Sequence, residues 1–273
     1  MENPIILYRN ISGLRVFDSG ELQAMQKHFR CTDSRIDISS GDLVIPRYSA
    51  LPFYEELEKD INKSGARLIN TFRQHRYVAD LQNWYNDLQD ITPKTWFRSY
   101  DVPKNEGPFV LKGETNSRKF LWNTHMFAET WEDMVKVSCN LNDDTMIGQQ
   151  SVYVRKFVPL KTYFKSFNNL PISKEFRFFI AFKKVLCGAF YWSNSVEDIP
   201  VVPSIDEVPK AFLQKVLDAV DDKINFYVVD VAETETGDWI VIELNDGSQS
   251  GLSENDPDVL YATLKKVIGE NSG

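Results

Sequence analysis

Two acids and an amide near the C-terminus carry the clearest chemical pattern in this 273-residue sequence. Asp230 lies in the apolar run Tyr227-Val228-Val229-Asp230-Val231-Ala232, and Glu243 and Asn245 lie in Trp239-Ile240-Val241-Ile242-Glu243-Leu244-Asn245-Asp246-Gly247. If the runs are antiparallel neighbours joined by a turn over 233–238, the two-residue step puts Glu243 and Asn245 on one face, and Asp230 meets them across the pair. Oxygen-bearing side chains set among Val, Ile and Leu are costly unless something satisfies them. A hard divalent cation bridged by phosphates does so, because Mg²⁺ takes carboxylate and amide oxygens in an octahedral shell. The plain alternative stands beside it: Asp230 and Glu243 end their strands at the surface, and Asn245-Asp246-Gly247 is a turn.

Other charged positions have the same double reading. Lys112 closes the short strand Phe109-Val110-Leu111 and Lys119 follows the polar loop 113–118, where a lysine is ordinarily solvated. Arg155 and Lys156 sit inside the strand-like run 152–158, where exposed edge charge is the common explanation. Glu175 and Arg177 share one face of a strand and Phe176 and Phe178 the other, which also suits a simple acid-base pair. His28, His75 and His125 have no Cys or His partner at metal spacing and read as surface or core-edge residues. There is no Ser-His-Asp order, no Gly-x-x-x-x-Gly-Lys phosphate loop and no dinucleotide fingerprint.

Asp230, then Glu243-Leu244-Asn245 and the small loop Gly247-Ser248-Gln249-Ser250-Gly251-Leu252 resemble the metal-binding end of the ATP-grasp fold. That superfamily of carboxylate-amine ligases includes glutathione synthetase, D-alanine-D-alanine ligase and the ribosomal-protein glutamate ligases. The similarity covers most of the chain in motif order and is strong in 109–112, 150–160, 174–183 and 226–252. It implies that Asp230, Glu243 and Asn245 hold two Mg²⁺ ions between the β- and γ-phosphates of ATP. It further implies that Lys112 and Lys119 bind phosphates, that Lys156, Phe157 and Val158 line the adenine with Arg155 on the opposite side, and that Glu175 belongs to the nucleotide site. Arg177 is then the arginine that reaches the transferred phosphoryl group or acyl-phosphate, a role its bidentate, permanently charged fork suits. Arg177, Lys119 and Arg155 become the catalytic set, and the 247–252 loop holds the acyl intermediate. The loop after Lys112 departs from the family's pattern, because Gly113 is its only glycine.

The resemblance implies ATP- and Mg²⁺-dependent joining of a carboxylate to an amine through an acyl-phosphate, with small-molecule or peptide substrates. A kinase on the same scaffold and a non-catalytic nucleotide-binding module stay open as alternatives. Segments 43–54 and 70–77, with Arg47, Asn70, Arg73 and Arg76, are expected to face the cleft and help select substrate.

The elements that must position these groups are an α+β / α/β mixture. Short apolar segments at 5–8, 43–45 and 67–69 alternate with helical spacing over 21–29 and 52–63, a βαβ-like rhythm. The spacing of Tyr77, Leu81, Trp84, Tyr85 and Leu88 predicts one helix over 75–88, ended by Pro93. A helix follows over 126–137, then strand-length runs at 152–158, 176–182, 185–191, 226–231 and 239–244. Val208, Phe212, Val216 and Val220 mark an amphipathic helix, and Asp256 with Pro257 caps a last one. The loop 193–206 reads as a mobile insertion. The expected organisation is an N-terminal pre-ATP-grasp βα domain (1–95), a small lobe (96–150) and a large metal-bearing lobe (151–273) that together enclose the nucleotide.

Composition narrows the setting. With 42% hydrophobic and 26% charged residues the chain can bury a full core, and a net charge of -8 disfavours nucleic acid and anionic lipid as partners. Three widely spaced cysteines read as thiols of a reducing compartment. No window has the apolar length of a membrane span and the N-terminus lacks signal-peptide character, so the expected location is cytoplasmic; the oligomeric state is open.

Overall fold

A computed structural model of the chain describes residues 3–9, 19–220 and 222–271. It opens with a parallel sheet. Strand β1 (Asn3–Tyr8) leads through helix α1 (Ser19–His28) to β2 (Arg30–Thr32) and β3 (Asp42–Arg47), and helix α2 (Tyr54–Lys63) leads to β4 (Arg67–Leu68). The strand order is β2-β1-β3-β4. Alternation sorts the apolar side chains: Ile5, Leu7 and Val44 pack with Tyr54, Leu57 and Ile61 of α2, whereas Ile6, Leu43 and Ile45 pack with Met25 of α1 on the other face.

The helix expected over 75–88 is two helices, α3 (Phe72–Ala79) and α4 (Leu81–Leu88). Asp80 breaks them: its backbone is extended and its carboxylate accepts from Gln82 N at 3.0 Å as the cap of α4. Apolar spacing runs through the break because both helices pack on one surface, so periodicity alone hides it.

A small antiparallel sheet follows, made of β5 (Thr95–Trp96), β6 (Phe109–Gly113), β7 (Phe127–Ala128) and β8 (Val152–Lys156) in the order β5-β8-β6-β7. Helix α5 (Trp131–Asn142) covers one face, with Met134, Val137 and Leu141 against Phe109, Leu111 and Val154. The helix expected from Met126 begins at Trp131 instead, because the Thr130 side chain caps it and Phe127 pairs with Val110 on β6. The boundary expected at residue 150 falls just before β8, which pairs with the preceding strands β5 and β6.

Next comes a hairpin that the apolar pattern does not announce, β9 (Thr162–Lys165) with β10 (Pro171–Ser173). The second antiparallel sheet contains β11 (Glu175–Ala181), β12 (Lys184–Phe190), β13 (Phe226–Glu233) and β14 (Trp239–Asp246) in the order β12-β11-β13-β14. The segment 193–206 is anchored, since Ile199 is buried with Leu170, Ile172 and Phe190. Helix α6 (Lys210–Val220) and α4 cover one face of this sheet over Phe176, Phe178, Tyr227 and Val229. Helix α7 (Pro257–Asn271), capped by Asp256 at Asp258 N, covers part of the other face over Phe179 and Val228. The α7 cluster continues into Ile6, Met25 and Leu43, so the N-terminal sheet and the large antiparallel sheet share one core.

Among the described residues no helix is long and apolar enough to cross a membrane. Cys31, Cys139 and Cys187 are free thiols.

Candidate active site

On β11 and β13 the side-chain alternation that buries Phe179 and Val228 under α7 places Arg177 and Asp230 further along the same face. The register sets Arg177 opposite Asp230, and Asp230 opposite Glu243 on β14, a row of three charged side chains across three central strands. Asn245 stands two residues beyond Glu243, opposite Val228. A charged row in a sheet interior needs internal partners, and each member has one.

Asp230 is fully buried, and its two oxygens accept from Arg177 Nε and Nη2, each at 2.8 Å. Arg177 Nη1 donates to the Gly251 carbonyl at 2.9 Å. Glu243 is ion-paired with Lys112 Nζ from β6, which ties the two antiparallel sheets together. Burial pushes the Glu243 carboxyl up, but Lys112 and Lys119 outweigh it and bring the group down to about 2. Lys119 Nζ donates to the Tyr191 hydroxyl at 2.7 Å and lies 4.0 Å from Glu175 Oε1. Burial opposes the charge on Lys119, yet Tyr191, Glu175 and Glu243 raise its ammonium above the ordinary lysine range. Glu175 is the reverse case: burial raises its carboxyl to about 7 against the pull of Lys119, and its Oε1 has no hydrogen-bond partner.

Two cavities flank this cluster. The larger, about 620 Å³, lies between the two antiparallel sheets, with apolar walls from Val110, Phe157, Val158 and Ile242 and a rim of Lys112 and Lys119. The smaller, about 350 Å³, is bordered by Arg177, Asn245, His75 and the 249–251 loop. Ser117, Lys119 and Glu243 border both.

Each expected site residue can be placed. Lys112, Arg155, Lys156, Phe157, Val158 and Glu175 border the larger cavity, Arg177 and Asn245 the smaller, and Asp230 neither. Arg155 directs Nη1 to the Ile242 carbonyl at 2.6 Å and Nη2 to Thr92 Oγ1 at 2.7 Å, leaving Nε unpartnered. Burial pulls its guanidinium down to about 10, with Glu243 opposing. Lys156 Nζ donates to the Gly107 carbonyl at 2.7 Å and lies 3.0 Å from Glu106 Oε2. Among the described residues no three His, Cys, Asp or Glu side chains form a ready-made metal shell. Asp230, Glu243 and Asn245 offer oxygen donors only, which suits a hard cation whose shell is completed by ligand oxygens.

The cleft-facing residues of the N-terminal part differ from expectation. Ser49, Leu51 and His75 border the smaller cavity, whereas Arg47, Asn70, Arg73 and Arg76 do not. Arg47 is buried, donates through Nε and Nη2 to Glu21, and holds the Gly247 and Ser250 carbonyls at 2.7 and 3.0 Å. Asn70 pairs with both backbone groups of Phe226, Arg73 lies away from both cavities, and Arg76 pairs with Asp80. Tyr191 and His75 are site residues that sequence reasoning passed over. Tyr191 lies in the sequence as one more aromatic in an apolar run, and His75 has its acidic partner, Asp246, 171 residues away.

The family model of the ATP-grasp domain, clade family 3, matches residues 99–264. No curated protein matches the chain. Among solved structures, the RimK domain ATP-grasp protein from Sphaerobacter thermophilus DSM 20745 superposes with a TM-score of 0.59 at 15% identity, covering 96% of this chain and 98% of that one. The D-cycloserine synthetase DcsG gives 0.63 at 12%, covering 97% and 100%. The ATP-grasp ligase PsnB, complexed with a minimal precursor, gives 0.60 at 11%, covering 99% of each chain. At these identities the likeness is one of fold.

Proposed function

Because this chain belongs to the ATP-grasp proteins, we propose that it is a ligase that uses ATP and Mg²⁺ to join a carboxylate to an amine through an acyl-phosphate. The observation that carries this reading is the wall of Ser117, Lys119 and Glu243 common to both cavities. A group in the larger cavity can meet a group in the smaller one across that wall, as phosphoryl transfer between two bound substrates requires.

In this reading the apolar walls of the larger cavity take the adenine, and Lys112, Lys119, Arg155 and Lys156 meet the phosphates. Asp230, Glu243 and Asn245 hold Mg²⁺, which when bound neutralises charge on the triphosphate. The carboxylate sits in the smaller cavity, whose volume of about 350 Å³ suits an amino-acid-sized group. Its oxygen attacks the γ-phosphorus beside Lys119, and Arg177 stabilises the acyl-phosphate with its charge. The amine then forms the C–N bond as phosphate leaves. No protein nucleophile takes part, so the chain's contribution is positioning and electrostatics. PsnB is complexed with a precursor peptide and DcsG makes a small molecule, so peptide and small-molecule carboxylates both belong in the screen.

The test is ADP release with Mg²⁺ and ATP against a panel of carboxylates and amines, supplied together and singly. A ligase releases stoichiometric ADP only when both are present, and Asn245→Ala abolishes it. Sustained release with a hydroxyl or phosphate acceptor alone points to a kinase. Absence of nucleotide binding by calorimetry removes the enzyme reading altogether.

A further inference from the structure

Forming an amide from an acyl-phosphate requires a proton acceptor for the amine, because nitrogen attacks through a lone pair and must shed a proton as the amide forms. Among the residues assigned above, Lys119 and Arg177 are held positive, and Glu243 is held as an anion paired with Lys112, so none of these three can accept that proton readily.

His75 has the required arrangement. It comes from α3, is fully buried, and borders the smaller cavity together with Arg177 and Asn245. Its Nδ1 lies 3.1 Å from Asp246 Oδ2, while its Nε2 is buried without a hydrogen-bond partner. Asp246 is itself buried, and its other oxygen accepts from Ser248 N at 2.8 Å, which fixes the carboxylate. The ring stacks on Tyr54 at 4.0 Å with an interplanar angle of 2°. Gln249 Nε2 lies 3.0 Å from the same Nδ1, with Gln249 Oε1 accepting from Ser49 Oγ at 3.1 Å.

These contacts decide the tautomer. An ionised carboxylate only accepts, so the pair with Asp246 requires the proton on Nδ1, and the charged carboxylate prevails over the neutral Gln249 amide. Nε2 then carries the free lone pair. A bare nitrogen buried in protein is costly, and one beside a substrate-sized cavity gains its partner when an N–H arrives there. The titratable groups around the ring are Tyr54 from α2 and Asp246 from β14, with Lys119, Arg177 and Glu243 bordering the same cavity.

We propose that His75 is the general base of the ligation step, its ring fixed by Asp246. The proposal rests on the ligase reading above. The amine nitrogen bonds to the acyl carbon, the C–O bond to the phosphoryl group breaks with its electron pair leaving on phosphate, and the nitrogen's proton passes to Nε2. The imidazolium, stabilised by Asp246, then returns its proton to the released phosphate.

Two measurements test it. In the first, wild type and His75→Gln receive Mg²⁺, ATP and the twenty proteinogenic amino acids as carboxylates, with either the amino acids or hydroxylamine as nucleophile. Hydroxylamine is unprotonated at neutral pH and attacks without a base. His75→Gln is expected to lose at least about 100-fold with amino acids as nucleophile but less than about 3-fold with hydroxylamine. Equal losses in both arms, or no loss in either, overturn the proposal. In the second, the nitrogen-15 spectrum of the labelled wild-type imidazole is expected to show a protonated Nδ1 and a bare Nε2, with the proton moving to Nε2 in Asp246→Asn. A wild-type ring protonated at Nε2 overturns the proposal whatever the activity. If the wild type makes no product in any arm, the ligase reading is what fails, and the spectrum still decides the state of His75.

Discussion

Arg177 and Asp230 stand opposite each other on β11 and β13 and are joined by two hydrogen bonds of 2.8 Å, with the carboxylate fully buried. The fork geometry matters as much as the charge. Arg177→Lys keeps the positive charge but cannot span both oxygens, so it leaves part of a buried carboxylate unpaired. Urea unfolding should show a loss of about 3 kcal/mol, and a variant within about 0.5 kcal/mol of wild type would contradict the pairing.

Glu243 gives stability a defined acid limb. Its folded value of about 2 lies below the ordinary 4.5, so the unfolded chain takes up the proton first as pH falls. The stabilisation is complete above about pH 4.5 and is lost as pH falls toward about 2. Lys112→Met removes the principal ion-pair partner and should move that limb to higher pH, read from melting temperatures between pH 3 and 7.

Glu175 acts in the opposite direction. Its folded value of about 7 exceeds the ordinary 4.5, so the unfolded chain releases the proton first as pH rises. The cost begins near pH 4.5 and is fully developed above about pH 7. Glu175→Gln should therefore gain about 1–3 kcal/mol on the wild type at pH 8 relative to pH 5. Parallel stability curves for the two proteins would rule this out.

Gly247 begins the loop that borders the smaller cavity, and a Cβ there would lie 2.8 Å from the ring of buried Phe226. Gly247→Ala should cost about 1–3 kcal/mol, and it should weaken binding of any carboxylate in the smaller cavity more than it weakens nucleotide binding. Calorimetry with each ligand separates the two effects.

The β13–β14 hairpin was legible because its apolar runs, its turn and its chemistry all lie close together along the chain, and alternation alone puts Glu243 and Asn245 on one face. Lys112 and Arg177 were legible as residues, but their partners were not, since Glu243 and Asp230 reach them across strands 131 and 53 positions away. The Asp80 break was hidden because a cap residue sits inside a continuing apolar stripe. The β9–β10 hairpin was hidden because β9 has no buried face to impose alternation. Arg47 illustrates a further limit: a buried arginine clasping backbone carbonyls carries the same letter as one waiting for a substrate.

That clasp bears on how this chain can be recombined. Arg47 spans Glu21 in the first helix and the Gly247 and Ser250 carbonyls near the other terminus, and Tyr261 donates to the same Glu21 oxygen at 2.6 Å. Chimeras that exchange the N-terminal βα segment with a relative therefore inherit a shared joint rather than a clean seam. Donor segments will be tolerated only where they bring an acid and an arginine matched to these carbonyls and this tyrosine.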